Sequence, residues 1–417
     1  MKILYISHYF YPEMGAASAR AFELSKYWVE YGHEVTVLTC FPNYPDGVIH
    51  NEYKRKFKKL FMREQICGVN IIRAATYPTH LRSSSRRGLN YLSFFISSAI
   101  ITPFLKNFDV IIATSPPLFP GLTGLIASRL KNIPLVFEVR DLWPEVITAV
   151  GAAGKNSLSY KTFDKIASIL YEKSNLIVAL TESFKDEIIS QRGVNRQRIK
   201  VIENGVDIKI FKPFPAELDL IDKIGLKDRF IISYIGTIGY THGVEVIVRA
   251  AHEVKRKFPQ IAFLLVGDGS DKTRLEKLKN EEGLDNVVFA GQQPKQKIPV
   301  YLNASNISLV LSSKQRLFRK TIFAKVFEPM ACGVPVIVGA EGETRNIVVN
   351  RANAGIGFEP ENACGLTDSI TKLYNNPELR KKLGENGREF VRREFSRSAK
   401  AKQYSDILEE LVRNNRR

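Results

Sequence analysis

The sequence predicts an α/β protein built from two doubly wound domains, each with a parallel sheet. The chain has 417 residues, which is too long for one ordinary hydrophobic core. Apolar runs of strand length alternate with helical patterns, as is typical of a parallel sheet covered on both faces. The alternation runs through the first half and begins again near residue 230. We therefore expect a first domain at 1–195 and a second at 196–395.

Each domain is expected to contribute strands that end near a ligand. In the first domain we interpret as strands the runs KILYIS (2–7), HEVTVLT (33–39), DVIIAT (109–114), LVFEV (135–139) and NLIVAL (175–180). In the second they are FIISYIG (230–236), IAFLLVG (261–267), NVVFAG (286–291), ISLVLS (307–312) and VPVIVG (334–339). Doubly wound domains bind ligands at the carboxyl ends of their strands, so we expect a site in the cleft between the domains.

The composition is that of a globular protein with reduced thiols. The four cysteines, at positions 40, 67, 332 and 364, form no CxxC pair, and the histidines are dispersed. This pattern argues against a disulfide framework or a structural zinc site and favours the cytosol. The start, MKILYIS, is interpreted as a first strand rather than an export signal. The longest apolar run, 91–105, has 15 residues, fewer than the roughly 20 that cross a bilayer.

The positive charge is uneven along the chain. The net charge is +18, and segment 51–87 holds ten Lys or Arg residues against Glu52 and Glu64. Such a segment attracts polyanions, which include nucleic acid, an anionic membrane and an acidic substrate. A basic surface that only keeps the protein soluble is the alternative.

The loop after the first strand, YPEMGAASAR (11–20), could hold an anion. Gly15 and Ala16 open the following helix, and small residues there let backbone N–H groups approach a negative charge. A tight turn that needs glycine is the alternative. The stretch is not GxGxxG, which counts against a dinucleotide fingerprint.

Charged residues also follow the strand 135–139, in FEVRDLWPE. Arg140, Asp141 and Glu145 are expected at the carboxyl edge of the sheet, where sites form. The alternatives are that Asp141 caps a helix or that Arg140 and Asp141 form a surface pair. We favour the functional interpretation because of the location.

The stretch 319–343 places three cations, Arg319, Lys320 and Lys325, ahead of a lone carboxylate, Glu328. Cations at a strand-to-helix junction can neutralise a diphosphate, and a carboxylate can accept hydrogen bonds from a ribose diol. Glu328 could instead pair with Lys325, but the apolar neighbours leave little polar face for that. Because Pro329 is tolerated only in the first turn of a helix, the helix should begin a residue or two before Glu328, or bend there.

Taken in order, these motifs resemble the retaining GT-B glycosyltransferases of family 4, in particular the branch that builds bacterial O-antigen, capsule and colanic-acid repeat units, including fucosamine transferases. The segments that carry the resemblance are ISHYFYPEMGAASAR, YGHEVTVLTCFPNYPDG, PLVFEVRDLWPE, VIENGVDIKIFKP, LLVGDGS, VVFAGQQP and KVFEPMACGVPVI. The resemblance implies two Rossmann-like domains, a C-terminal helix 396–417 that packs back on the first, and a metal-independent reaction without a cofactor.

The resemblance also implies roles for single residues. Glu328 would bind the donor ribose, and Gly15 and Ala16 would lie beside the donor diphosphate. Three departures from the family matter, and one of them is Pro329 after Glu328, where relatives carry Tyr or Ala. Lys320 stands where a first glutamate is usual, and the loop that begins at Gly236 offers Thr237 and His242 instead of an Arg and a Lys. Arg319, Lys320 and Lys325 therefore become the expected diphosphate cations. Asp141 would orient the acceptor or the donor sugar.

The implied reaction moves a sugar, N-acetylhexosamine type, from a UDP-linked donor to a polyprenyl-diphosphate-linked saccharide, for surface polysaccharide synthesis. We expect a cytoplasmic enzyme that contacts an anionic membrane peripherally through 51–107, although 91–105 could be simply a core helix. Two other classes remain open on the residues: a GT-B-fold nucleotide-sugar epimerase, and a basic nucleic-acid-binding protein, for which no motif is present.

Overall fold

The computed structural model describes the chain except for residues 14, 45–46, 58, 80–83, 150–153, 155, 216–217 and 416–417. It divides into two compact units. The first contains residues 1–203 and 398–417, and the second contains residues 204–397. The predicted boundary at 195 falls ahead of a short strand, Ile199–Val201, that still pairs with the first sheet, so the first unit extends to residue 203.

The first unit is built on an eight-stranded sheet. Its strands are β1 (Lys2–Ile6), β2 (Glu34–Cys40), β3 (Phe61–Ile66), β4 (Val69–Ala74), β5 (Val110–Ser115), β6 (Leu135–Val139), β7 (Leu176–Ala179) and β8 (Ile199–Val201). Their order is β3-β4-β2-β1-β5-β6-β7-β8, and the pairs are parallel except for antiparallel β3–β4. The helices are α1 (Ala16–Glu30), α2 (Ser84–Ile101), α3 (Phe119–Lys131), α4 (Glu145–Ala149), α5 (Leu158–Lys173) and α6 (Glu182–Arg192).

The second unit has a six-stranded parallel sheet in the order β11-β10-β9-β12-β13-β14. The strands are β9 (Phe230–Ile235), β10 (Ile261–Val266), β11 (Val287–Gly291), β12 (Ile307–Leu311), β13 (Val336–Gly339) and β14 (Gly355–Gly357). The helices are α7 (Leu218–Lys223), α8 (Glu245–Lys257), α9 (Lys272–Glu281), α10 (Ile298–Asn303), α11 (Phe327–Ala331), α12 (Glu343–Arg345), α13 (Ala363–Tyr374) and α14 (Pro377–Glu394). The predicted fold class, two parallel-sheet domains covered by helices, is confirmed.

The last helix, α15 (Arg397–Asn415), packs on the first unit. The indole N–H of Trp28 in α1 donates to the carbonyl of Ala401 at 3.0 Å, and the rings of Trp28 and Tyr404 meet edge to face. Both side chains are fully buried. Successive side chains of β1 point to opposite faces of the sheet. Ile3 packs in the hydrophobic cluster that contains Trp28, and Leu4 packs in the cluster on the other face, with residues of α2 and α3.

A buried ion pair lies inside the first unit. Arg20 of α1 donates to one carboxylate oxygen of Glu138 in β6 at 3.1 Å, and the hydroxyl of Tyr5 donates to the other at 2.9 Å. The remaining guanidinium N–H groups of Arg20 reach the carbonyls of Ile202 and Glu203. Because Arg20 and Glu138 are both buried, these hydrogen bonds compensate the cost of removing two charges from water.

Among the helices that the structure describes, none combines the length and the apolar character that a bilayer-crossing segment needs.

Candidate functional site

The second unit offers a close-packed glycine loop directly after β9. Gly236 has φ of 152°, a conformation that glycine adopts readily. A Cβ on Gly267, in the neighbouring loop after β10, would collide with the carbonyl oxygen of Gly236. A Cβ on Gly236 itself would lie 3.4 Å from Cδ of Lys325. The glycines therefore let two loops and one lysine side chain share the carboxyl edge of the sheet.

Lys325 is a half-buried cation beside this loop. It lies in a 3-10 turn, Ala324–Val326, immediately before α11. Its Nζ donates to the hydroxyl of Tyr234 at 3.0 Å and lies 4.5 Å from the centre of that ring. Within the described residues Lys325 forms no ion pair with a carboxylate. Desolvation lowers the pKa of Lys325 to about 7, so an anion that replaced the lost water would restore its charge.

His242 is the second nitrogen donor at this edge. It closes a 3-10 turn, Tyr240–His242, just before α8. Burial and the positive charge of Lys325 lower the pKa of His242 to about 4, so the imidazole is neutral near pH 7. The positive charge of Lys325 acts on His242, so the two side chains are close enough to interact electrostatically.

Glu328 lies in the first turn of α11, which begins at Phe327. The prediction that the helix starts a residue or two before Glu328 is thus confirmed, and Pro329 falls in the first turn, where its missing N–H costs no helical hydrogen bond. Phe327 and Met330 are wholly buried, whereas Glu328 is only half-buried. In a strand-helix-strand unit the start of the helix lies at the carboxyl edge of the sheet, which puts Glu328 on the same edge as Gly236.

The other two predicted cations differ from Lys325. Arg319 is mostly exposed and pairs through Nε with Glu341 at 2.6 Å. Lys320 is half-buried at the end of the 3-10 segment Arg316–Lys320. Gly342, at φ of 67°, follows Glu341, and a Cβ there would collide with the carbonyl of Arg319. Of the three cations, the structure brings Lys325 to the glycine loop and gives Arg319 a carboxylate partner.

In the first unit, Gly15 and Ala16 form an open start for α1. Gly15 has φ of 140° and precedes the first helical residue, Ala16, and both are exposed. The first turn carries neither an acidic residue nor a side-chain cap. A helix start of this kind favours an anion. Arg140 lies close by, since it donates to the carbonyl of Ala17 at 2.9 Å and to that of Ser115 at 3.1 Å.

Asp141 is a half-buried carboxyl at the end of β6 with no hydrogen-bond or ion-pair partner in the part of the chain described. Burial raises the pKa of Asp141 to about 6, and the positive charge of Arg140 partly opposes that rise. The helix that follows begins only at Glu145, so Asp141 does not cap it. A carboxyl with a raised pKa at this position is a candidate for contact with a substrate.

Glu145 has a structural partner instead. Its Oε1 lies 3.1 Å from Nη2 of Arg192 in α6, and Arg192 also pairs with Asp164 of α5 at 2.6 Å. These contacts hold α4 against α5 and α6. The structure gives this explanation for Glu145 and no comparable one for Asp141.

A polar network that the sequence did not predict lies beside the Gly15 loop. Glu13 is buried, and its Oε1 accepts the N–H groups of Asn43 and Tyr44, both at 2.9 Å. Burial raises the pKa of Glu13 to about 7. Asn90 of α2 donates to the side-chain oxygen of Asn43 at 3.1 Å and contacts Nε2 of His8 at 2.9 Å. The network joins residues up to 82 positions apart, so no local spacing could have revealed it.

The basic segment 51–87 is less uniformly exposed than its composition suggests. Arg73 is fully buried and forms an ion pair with Glu64 at 2.5 Å. Two other cations of the segment, Lys58 and Arg82, lie outside the described residues. The cations at 54, 55, 56, 59, 63 and 86 are exposed.

Two family models together match most of the chain. Residues 17–210 match the family model Glycosyltransferase Family 4, and residues 218–390 match Glycosyl transferases group 1. The chain is 26% identical to the putative colanic acid biosynthesis glycosyl transferase WcaI of Escherichia coli, over 90% of this chain and 93% of that protein. It is 24% identical to N-acetyl-alpha-D-glucosaminyl L-malate synthase of Bacillus anthracis, over 97% of each chain. The solved structure of Anabaena HepE in complex with UDP superposes with a TM-score of 0.73 at 19% identity, covering 98% of this chain and 100% of that one.

Proposed function

Because the chain belongs to the GT-B glycosyltransferases of group 1 and family 4, we propose that it transfers a sugar from a UDP-linked N-acetylhexosamine donor to a polyprenyl-diphosphate-linked saccharide, with retention of configuration. The observation that carries the donor assignment is Lys325, a half-buried cation beside the Gly236 loop that no described carboxylate neutralises. The UDP bound to HepE and the names of the two relatives support a nucleotide-sugar donor, an N-acetylhexosamine and a polysaccharide pathway.

Negative charge develops on the donor diphosphate during the proposed transfer. Transfer breaks the bond between the anomeric carbon and the diphosphate oxygen, so negative charge grows on the departing phosphate. Lys325 and the neutral imidazole of His242 are assigned to that charge, since cations and N–H donors aimed at developing charge lower the barrier. In the first unit, the start of α1 at Gly15 and Ala16 is assigned separately to bind a diphosphate. These groups would supply the charge stabilisation without a metal ion. Glu328 would accept hydrogen bonds from the ribose hydroxyls.

Asp141 is assigned to the place where the acceptor hydroxyl meets the donor sugar. The acceptor hydroxyl attacks the anomeric carbon on the face from which the diphosphate leaves, and its proton passes to the departing phosphate. Asp141 is assigned to orient the attacking hydroxyl or the donor sugar, because above pH 6 its carboxylate can accept a hydrogen bond. Arg140 is assigned a positioning role, because its N–H groups are committed to the carbonyls of Ser115 and Ala17.

The proposed acceptor also implies a location for the reaction. A polyprenyl-linked acceptor resides in a membrane, so the enzyme would work peripherally on the cytoplasmic face of an anionic bilayer, with 51–107 as the contact region. The exposed cations of the basic segment support this placement. The family models and relatives point to a glycosyltransferase rather than to an epimerase or a nucleic-acid-binding protein.

A thermal-shift panel tests the proposed function. Free nucleotides and nucleotide sugars are compared with uridine, which has the base and ribose but no diphosphate. A ligand at 100 times its Kd stabilises the folded state by about 2.7 kcal/mol. We expect UDP and one UDP-sugar to stabilise the protein and uridine to have a much smaller effect. Equal shifts with uridine and UDP, or no shift with any nucleotide, would refute the donor assignment.

A further inference from the structure

Helix α2 has one face in the core of the first unit and one face in solvent. On the inner face Asn90, Phe94, Ser98 and Ile101 are buried. The hydroxyl groups of Ser98 and Thr123 lie 2.9 Å apart, which joins α2 to α3. The sequence left open whether 91–105 is a core helix or contacts a membrane at the surface. The structure allows both, because one face of α2 is buried and the other is exposed.

The outer face carries a row of large apolar side chains, which we call the outer row. It consists of Leu89 (53% exposed), Leu92 (41%), Ile96 (49%), Ile100 (50%) and Phe104 (76%). The steps of three and four residues put the four helical members on one face of α2, and Phe104 continues the line in the 3-10 turn Thr102–Phe104. Single exposed apolar side chains are ordinary, whereas a contiguous row of five marks an interaction surface.

Cations border the outer row at both of its ends. Arg86 precedes it and Lys106 follows it, and both are exposed. Lys131, at the end of α3, donates to the carbonyl of Pro103 at 3.3 Å, which places its ammonium group beside the Phe104 end, next to Leu130 at 62% exposed. Residues 84–108 contain no Asp or Glu.

We infer that the outer row inserts into the interfacial layer of an anionic bilayer, with α2 lying in the membrane plane and its bordering cations at the lipid phosphates. The inference rests on the proposed function only for its biological purpose, and it narrows the contact region 51–107 to one face of one helix. An apolar face with a cationic border is the pattern of interfacial helices, and anionic lipids attract such cations. A second copy of the chain fits less well, because a two-fold contact through this face would bring Arg86, Lys106 and Lys131 against the same cations of the copy.

Co-flotation of the full chain with vesicles tests the inference. The vesicles contain phosphatidylglycerol mixed with phosphatidylcholine, or phosphatidylcholine alone. The row variant is Leu92→Gln with Ile96→Gln, which changes two exposed side chains and leaves the inner face intact. The matched control is Leu158→Gln with Ile210→Gln, two apolar side chains exposed at 82% and 46% elsewhere on the chain. The charge variant is Lys106→Gln with Lys131→Gln.

We expect wild type and the matched control to float with the anionic vesicles and the row variant to bind at least about tenfold more weakly. The charge variant should lose roughly fivefold for each cation removed, and high salt should weaken binding by wild type. Equal binding by the row variant and wild type would overturn the inference. The inference would also be overturned if the wild-type protein did not bind the anionic vesicles. The same holds if the wild-type protein formed a dimer and the row variant did not.

UDP-induced thermal shifts on the same samples separate this inference from the proposed function. If vesicle binding depends on the outer row but UDP gives no thermal shift, the membrane-binding inference is supported and the donor assignment is refuted. A UDP shift without vesicle binding would do the reverse.

Discussion

The ammonium nitrogen of Lys325 lies 3.0 Å from the hydroxyl oxygen of Tyr234. That hydroxyl donates its own hydrogen to the carbonyl of Thr237 at 2.7 Å, so it can offer Lys325 a lone pair. A neutral hydroxyl and an aromatic ring hold the ammonium group in place without cancelling its charge. The ammonium group of Lys325 is therefore held in place while no described carboxylate neutralises it, which is the arrangement that the proposed diphosphate site requires.

The affinity for UDP should depend on pH through Lys325. Desolvation holds the pKa of free Lys325 at about 7, and a bound diphosphate raises that pKa, so binding above pH 7 takes up a proton. The affinity should fall as pH rises above 7, by at most about tenfold per pH unit, and should level off below 7, where Lys325 is charged in both states. His242, with a pKa of about 4, does not titrate in this range.

Calorimetric titrations with UDP between pH 7 and 9, in buffers of different ionisation enthalpy, measure both the affinity and the proton uptake. The variant Lys325→Gln serves as the control and should show neither the slope nor the uptake. A wild-type affinity that is flat across this range would contradict the assignment of Lys325 to the diphosphate.

Asp141→Asn should slow transfer without weakening the donor complex. Removal of an orienting carboxylate at the reacting centre costs about 100-fold or more in turnover, while UDP binding should stay within about twofold. Because the pKa of Asp141 is raised to about 6, the wild-type rate should fall as pH drops below 6, and the variant should lack that fall. The measurement is transfer from the donor found in the thermal-shift panel to lipid extracted from bacterial membranes.

Glu145→Gln is the matched control for Asp141→Asn, because it changes a neighbouring carboxylate that pairs with Arg192. It should lower the free energy of unfolding by about 1 kcal/mol or less and keep turnover. Full turnover by Asp141→Asn would remove Asp141 from the mechanism, and a larger loss of turnover with Glu145→Gln would exchange the two roles.

Breaking the buried pair of Arg20 and Glu138 should destabilise the first unit strongly. Glu138→Ala leaves the guanidinium group of Arg20 buried without its carboxylate, which costs about 3–5 kcal/mol in the free energy of unfolding. Glu34→Ala breaks the exposed pair with Lys2 and should cost about 1 kcal/mol or less. Urea denaturation measures both. The double variant Arg20→Met with Glu138→Leu removes both charges and should recover most of the lost free energy of unfolding. Similar losses for Glu138→Ala and Glu34→Ala would show that burial of the pair is unimportant.

The fold was predictable because burial dictates an unmistakable pattern. The strands that the sequence predicted are mostly apolar, and their runs coincide with β1, β2, β5, β6, β7 and β9–β13 within a few residues. The hairpin β3–β4 was missed because β3, at the sheet edge, is not an apolar run: three of its six residues, Arg63, Glu64 and Gln65, are polar and consecutive. Its turn uses Cys67 and Gly68, both with positive φ, and cysteine is not a residue that signals such a turn.

The sequence predicts where candidate site residues lie in the fold when this depends on their position in the chain, but not when it depends on which side chains pair. Glu328 and Asp141 follow from the rule that ligands bind at the carboxyl edge of a parallel sheet. The sequence could not separate Lys325 from Arg319, because the distinction rests on Glu341 and Tyr234, which neighbour them only in space. Glu13 and Asn90 were invisible for the same reason.

The most direct test of the account is a calorimetric titration of UDP into the full chain at pH 7, with wild type, Lys325→Gln and Arg319→Gln. If Lys325 binds the diphosphate as proposed, Lys325→Gln removes a charge-assisted hydrogen bond and should weaken binding by about 10- to 100-fold. Arg319 is already paired with Glu341, so Arg319→Gln should change the affinity by less than about threefold. Equal affinities for wild type and Lys325→Gln, or no measurable binding of UDP by wild type, would contradict the account.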